Sequence, residues 1–533
     1  MSLDYHHIRG GYEMKRRLWA CILMMTFAMM FTACQSTSEE SVKGTESLQD
    51  AGTNAPEGTG KDQEEIVEII WQYPTSGNLG AGFQDMEDAL NEMMERDIGV
   101  HVTFEPVGLG EAQQKATLMV SGGEQLDLCM SAFAPIAPLA SSNLVLPLTD
   151  LIDEYGKDIK DLGADLSMGY YNGELYGIPP VGGSSGSWCY LIKTEYLEKY
   201  QIETDPDKFY TFEELEKIFE VIKAGEGDNF YCLPVDQTIT PLGVYMEYDA
   251  VGGTPAAGVL VLNRNFDDLT LCNLYETDEY RNYAEIMYRW AQNGYISPDA
   301  AVSTETTDTL VAKDNYLGTF YFGNPLSEVS YASTVGKELT KLKVMERYYA
   351  NNGGLSCLWS IPITSAHPEK ALEALNYIYA NDDANWIIQY GLEGQSYEIV
   401  EQTDEGTQIR FLSDNMEELP YFNPYGLWGN QYHYAAVEPT PVNANKLIED
   451  YHRGTPKERY SPAMGYSFVR DSVSTEIASL STVIEQYDKM INCGALDPKK
   501  AVPEFISALK AAGIEEVIAE NQRQLDEWAA AQK

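Results

Sequence analysis

The chain has 533 residues, with 82 acidic against 36 basic side chains, for a formal charge of −46. That balance excludes a nucleic-acid partner, because affinity there comes from Lys and Arg neutralising phosphates, and it disfavours polyanionic ligands in general. The length allows two or three domains with large cores.

The N-terminus reads as an export signal. Lys15-Arg16-Arg17 precede an apolar stretch from Leu18 to Phe31, too short for a stable span of about 20 residues. Thr32-Ala33-Cys34 follow, and small residues before Cys34 suit a peptidase that cuts there once a lipid thioether has formed. The pattern resembles a bacterial lipobox, with Phe31 where Leu is usual. The plainer alternative is an ordinary secretory signal with an incidental cysteine. Residues 35–61 are rich in Ser, Thr, Gly and Glu without apolar periodicity, which marks a tether. Signal and upstream residues are thus expected over 1–33 and the tether over 34–63. Lipid on Cys34 would hold the body at the extracytoplasmic face of the membrane.

The body opens as strand, helix, strand, helix, strand. Ile66–Trp71 reads as a buried strand, and the breaker-rich Pro74–Asn78 follows. Phe83, Met86, Leu90, Met93 and Met94 then recur at helical spacing. Val100, Val102 and Phe104 alternate as a second strand, a short helix covers Glu111–Val120, and Leu126–Met130 forms a third strand. This βαβαβ order predicts a parallel sheet, which gathers ligands at the carboxyl ends of its strands. Tyr73, Ser76 and Ser131 are candidate contacts there. Asp127 is a candidate acceptor for sugar hydroxyls, with a structural cap as its alternative. Further on, Ser187–Lys193 reads as a strand. Thr211 and Glu214 form a capping box ahead of a helix that buries Phe212, Leu215, Ile218, Phe219 and Ile222. A longer helix spans about Thr277 to Asn293, with Gly294 placed to end it.

Chemistry-bearing motifs are few. Gly182-Gly183-Ser184-Ser185-Gly186 satisfies the GxSxG pattern, but two prolines precede it and a strand follows, the reverse of a nucleophile elbow. The six body cysteines are scattered, the four histidines of the mature region form no close pair, and no phosphate-binding loop occurs, so neither metal nor cofactor is expected. Tyr is unusually abundant, 36 residues beside 16 Phe and 8 Trp. Rings with a polar tip suit sugars, whose C–H faces stack while their hydroxyls need partners. Residues 421–434 concentrate such rings among Gly, Asn and Gln. Tyr425, Trp428 and Tyr432 are candidate stacking residues, with loop packing as the alternative. Trp188 and Trp359 lie near predicted strand ends or crossings and are further candidates.

Several stretches together resemble family 1 extracellular solute-binding proteins of ABC importers. They are LPLTDLI (146–152), NGELYGIPP (172–180), the TFEEL helix start (211–215), GTFYFGNP (318–325), WSIPITSAHPEKALEALNYIY (359–379) and the tail 509–528. The resemblance implies an α/β, two-lobed periplasmic-binding-protein-like fold, each lobe a mostly parallel sheet flanked by helices, with a hinge between. It places lobe 1 at 64–180 plus 322–366 and lobe 2 at 181–321 plus 367–533, and adds Tyr321 to the ligand contacts. It implies a monomeric lipoprotein that hands an oligosaccharide to importer permease subunits, without enzyme activity. A binder of peptides or another small solute on the same fold is one alternative, and a surface glycan-degrading enzyme is another.

Overall fold

The computed structural model describes residues 66–75, 79–183, 185–235, 241–351, 356–423 and 425–532. The signal, Cys34, the tether and Ser76 lie outside them. Strand β1 (Val67–Thr75) pairs in parallel with β2 (Val100–Gly108) along its whole length. The helix between them, α1 (Phe83–Ile98), turns Met86, Leu90 and Met94 inward. It stops at Gly99, whose left-handed φ of 65° lets its N–H donate to the carbonyl of Met94. Helix α2 (Ala112–Gly122) leads to β3 (Cys129–Ala134), where Leu128 bridges to Trp71 in parallel. The βαβαβ expectation holds.

The chain then leaves this first lobe. β4 (Ser187–Lys193) enters the second lobe, followed by α3 (Phe212–Glu226), α4 (Asp278–Gln292), β5 (Gly318–Gly323) and β6 (Leu339–Lys343). The strands form a sheet in the order β6-β4-β5, antiparallel throughout. The expected mostly parallel sheet is therefore corrected for this lobe. The strand that carries the chain out of the first lobe runs away from the junction, while its two neighbours run back toward it.

β7 (Ser356–Ser360) returns to the first lobe, antiparallel to β3. Helices α5 (Pro368–Ala380) and α6 (Asp382–Tyr390) pack there too, with Leu372, Leu375, Ile378 and Ile388 in one core with Trp71, Trp359 and Trp428. After α7 (Ala444–Arg453) the chain crosses once more. The helices α8 (Ser474–Asn492), α9 (Pro498–Ala511) and α10 (Ile514–Ala531) then complete the second core with Phe505, Leu509 and Val517. One core thus draws on 69–181 and 357–428, the other on 190–348 and 463–525. The expected division is corrected at two places: 322–343 belongs to the second lobe, and 367–428 to the first. Among the described residues no disulfide joins the body cysteines, and burial pushes the thiols of Cys129 and Cys189 up to about 12.

Candidate functional site

Strands β1, β2 and β3 are parallel, so their carboxyl ends share one edge of the sheet. Ser356, where β7 begins, pairs with Ala134 at the end of β3, so this edge faces the crossings. In the second lobe β5 ends at Gly323 opposite Ser187, and β6 ends at Lys343 opposite Cys189. Carboxyl ends from both lobes therefore converge on the lobe junction, where α/β sheets bind ligands.

Among the described residues, three stretches lie at that junction: 181–183 with 185–187, 348–351, and 455–461. The first two exchange hydrogen bonds between Gly186 and Tyr348, N–H to carbonyl at 3.2 and 3.0 Å. The third joins the second: the N–H of Tyr349 donates to the Arg459 carbonyl (3.0 Å), and the N–H of Ser461 donates to the Tyr349 carbonyl (2.7 Å). The Thr455 hydroxyl donates to Ser185 Oγ at 2.9 Å, closing α7's end over the first crossing. Glycine is required here by close approach. A Cβ on Gly183 would lie 2.5 Å from the ring of His452, and one on Gly186 2.5 Å from that of Phe322.

Two aromatic groups flank the crossings. Phe322, 38% exposed, packs 5.2 Å from Trp188 and 6.0 Å from Tyr348, ring centre to ring centre. On the side of α7, a cavity of about 380 Å³ is lined by Gly182, Gly183, Tyr349, Tyr432 and Tyr460, with Asp165, His452, Arg453 and Lys457. Tyr349 and Tyr460 meet edge to face at 5.1 Å, and the Tyr432 hydroxyl lies 3.2 Å from His452 Nδ1. Burial, with Arg347 nearby, lowers the His452 pKa to about 4, so this imidazole is neutral at ordinary pH. Burial also raises the Tyr432 phenol to about 12. A larger cavity, about 550 Å³, opens among Phe212, Glu213, Tyr245 and Glu247. Apart from Arg459 it is built from second-lobe residues, away from the first lobe's strand ends. The junction offers ring faces, hydroxyls, one neutral imidazole and the charged side chains of Asp165, Arg453 and Lys457, a lining that suits a ligand rich in hydroxyls.

Of the candidates named from sequence, Trp188, Tyr321, Tyr425 and Tyr432 are half-buried. Trp188 and Tyr432 join the two groups just described, while Tyr321 packs against Tyr331 at 5.1 Å. The other described candidates are corrected. Trp428 is 1% exposed and Trp359 fully buried, their rings 4.6 Å apart. Trp359 Nε1 donates to the Leu427 carbonyl at 2.9 Å. Tyr73 stacks on Trp428 at 5.6 Å and hydrogen-bonds Tyr421 and Asn423. These rings form one first-lobe core, with no face open to a solute. Ser131 is fully buried inside β3. Asp127 precedes β3 and so sits at the wrong end of the sheet. There its carboxylate accepts from the N–H groups of Ile70 (2.9 Å) and Ala366 (3.2 Å) and from the Ser365 hydroxyl (2.6 Å). It is a structural cap. Phe322, Tyr349 and Tyr460 were missed. Phe322 stands inside the GTFYFGNP strand, beside the candidate Tyr321, whereas only the fold brings Tyr349 and Tyr460 together.

Residues 88–394, more than half of the chain, match the family described as bacterial extracellular solute-binding protein, and 462–530 match a domain of unknown function, DUF3502. A carbohydrate ABC transporter substrate-binding protein of Streptococcus pneumoniae is 26% identical over 450 residues, 82% of this chain and 86% of its own. The polygalacturonan/rhamnogalacturonan-binding protein YtcQ of Bacillus subtilis is 20% identical over 418 residues, 72% and 74% of the two chains. Among solved structures, the N-glycan transport solute binding protein NgtS of Streptococcus pneumoniae aligns with a TM-score of 0.72 at 22% identity, over 88% of this chain and 100% of that one. Its complex with Man5GlcNAc aligns at 0.59 and 21% identity, over the same shares. The two-lobed α/β architecture, the crossings between lobes and the match over more than half the sequence agree: the chain belongs to the bacterial extracellular solute-binding proteins.

Proposed function

We propose that this chain is the substrate-binding component of an ABC importer and captures an oligosaccharide by closing its two lobes over it. The observation that carries the reading is the convergence of strand carboxyl ends from both lobes on a Gly/Ser-rich crossing flanked by half-exposed rings. The carbohydrate and N-glycan binding named for its relatives supports it. Phe322 and Trp188 are the stacking surface we assign on the second lobe, with Tyr432 and Tyr349 beside the crossings. Closure gives the transporter a state distinct from the empty one, since the ligand binds the closed form better. Chemistry on the ligand is not part of this role, and ATP hydrolysis belongs to the importer's other subunits. The protein acts as a monomer held to the membrane by lipid on Cys34. Cys34→Ser is expected to release it from membranes, checked by fractionation and N-terminal mass; unchanged fractionation and an unchanged N-terminus would refute the anchor.

The test of binding is a thermal-shift screen across oligosaccharides and peptides, followed by calorimetry on Phe322→Ala. A saccharide at 100 times its dissociation constant raises stability by about 2.7 kcal/mol. Loss of a stacking ring costs about 1–3 kcal/mol, by analogy with base stacking. A screen in which no saccharide shifts the melting temperature, while a peptide does, would overturn the reading.

A further inference from the structure

We infer that the second lobe carries a binding site of its own, for a small organic cation with an apolar stem, in the cavity of about 550 Å³ beside Arg459. The inference goes beyond the oligosaccharide reading and does not depend on it. A cavity of this size falls within the range of about 300–1,000 Å³ that small-molecule sites occupy. Its lining combines ring faces with carboxylates, the pairing that recognises an ammonium or guanidinium group on an apolar body.

The rings come from three short stretches of sequence. Phe209 and Tyr210 run beside the end of β6: Phe209 bridges to Lys343, and the Tyr210 N–H donates to the Lys343 carbonyl at 2.7 Å. Phe212 opens α3, and Tyr245 meets it edge to face at 5.2 Å. Phe209 is 44% exposed and Tyr245 half-buried, so part of each ring stays open to a ligand in the cavity that both line.

Carboxylates dominate the charge of the lining. Glu213, in the first turn of α3, Glu247 and Glu346 stand against the single guanidinium of Arg459. Glu247 is 7% exposed. Its Oε1 accepts from Arg459 Nη2 at 2.6 Å, whereas its Oε2 is buried with no partner among the described residues. A buried carboxylate oxygen without a donor is costly, and a ligand N–H is the group that would relieve it. Arg459 is committed elsewhere: Nε donates to the Arg347 carbonyl and Nη2 to that of Glu346, both at 3.3 Å, and its plane lies 4.7 Å from the Phe266 ring. The Glu346 carboxylate, 66% exposed, stays 3.9 Å from Arg459 Nε. The lysines next along the chain, Lys208 and Lys343, pair with Glu214 (2.7 Å) and Asp207 (3.6 Å). The lining is therefore net negative, which attracts a cation and keeps an anion from the N-terminus of α3.

The experiment is calorimetry of the mature protein with phenethylammonium and agmatine at about 20 and 300 mM salt, a range that spans weak and strong screening. Phenylethanol and phenylpropionate, which carry a neutral or a negative head on a similar stem, are the controls. We expect at least one of the cations to bind with a Kd below about 1 mM at low salt, at least about tenfold tighter than either control and about twofold tighter than at high salt. Phe209→Ala and Glu213→Gln, both at exposed positions, should each weaken it by about two- to fivefold and leave saccharide affinity unchanged. Glu247→Gln should cost at least about tenfold, and if that variant does not fold the two exposed ones decide. No cation binding below about 1 mM, or a control that binds as tightly, would overturn the inference. So would a cation whose affinity is the same in wild type and in both exposed variants, since the acidic surface at large would then be holding it. Saccharide that displaces the cation and is itself lost in the same variants would overturn it too, by making this cavity the sugar site. Absence of any saccharide binding would sink the oligosaccharide reading and leave this site standing.

Discussion

Trp428 stands between Gly426 and Gly429, a setting that in sequence looks like a ring carried to a ligand by bare backbone. The fold uses the glycine otherwise. Gly429 has φ 49°, and a Cβ there would lie 2.6 Å from the Asn385 side chain and from the Ile378 carbonyl. The loop can therefore lie directly on α5 and α6, which drives the indole inward against Trp71, Trp359 and Tyr73. Trp428→Ala should lower apo stability by about 3–5 kcal/mol through the cavity it leaves. Ligand affinity of the folded protein should stay unchanged. Denaturant unfolding and calorimetry of the same variant check both; lost affinity with intact stability would return the ring to the binding site. A second residue-level consequence concerns pH. Asp488 on α8 accepts from Asn492 Nδ2 at 2.8 Å, and burial raises its pKa to about 6. An acid raised in the folded state binds more protons there than in the unfolded chain, so its contribution to stability falls as pH rises from about 4 to 6. The residue keeps part of its surface in solvent, so the effect is on the order of 1–3 kcal/mol. Asp488→Asn should be more stable than the parent at pH 7 and equal to it near pH 4. Unfolding curves across that range decide, and an equal gap at both ends would refute the assignment.

At the scale of elements, what was legible was local. The Thr211–Glu214 box is present as read: the N–H of Glu214 donates to Thr211 Oγ1 (3.3 Å), and the N–H of Thr211 to Glu214 Oε2 (3.1 Å). Its signal lies within four residues, as does the apolar face of α1. Which lobe α5 joins is another matter. Its buried face would fit either core, and the choice depends on β7 pairing with β3, a contact across more than two hundred residues of sequence. The site divides along the same line. The Gly/Ser crossing was readable from composition, but the distinction between a ring in a cleft and a ring in a core depends on neighbours far away in sequence. The reason for that glycine run is itself an element-level contact, since α7 rests on it. Gly183→Val should therefore be destabilising by about 1–3 kcal/mol, the usual cost of overpacking. Gly110→Ala, where a Cβ meets nothing within 4 Å, serves as the control. Comparable stability for the two variants would mean that α7 does not bear on the crossing.

The whole molecule moves, on this reading, through a ribbon rather than a joint. The three crossings are hydrogen-bonded side by side, Gly186 with Tyr348 and Tyr349 with Arg459 and Ser461. Strands paired in this way bend together about one axis. The lobes on either side keep separate cores, so they travel as rigid bodies while the Gly/Ser segment absorbs the change in backbone angles. A ligand that touches rings on both lobes draws on the closed form alone, and its binding energy sets how far the population shifts. Solution scattering with and without a bound oligosaccharide should therefore show a smaller radius of gyration in the bound state. The pair-distance distribution should lose its longest inter-lobe distances and leave the intra-lobe ones unchanged. Wild type and Gly183→Val should differ in this respect, because a side chain wedged under α7 against the His452 ring alters the ribbon's bend. Identical profiles at saturating ligand would show a rigid pocket, and closure would then have no part in how this protein signals that it is loaded.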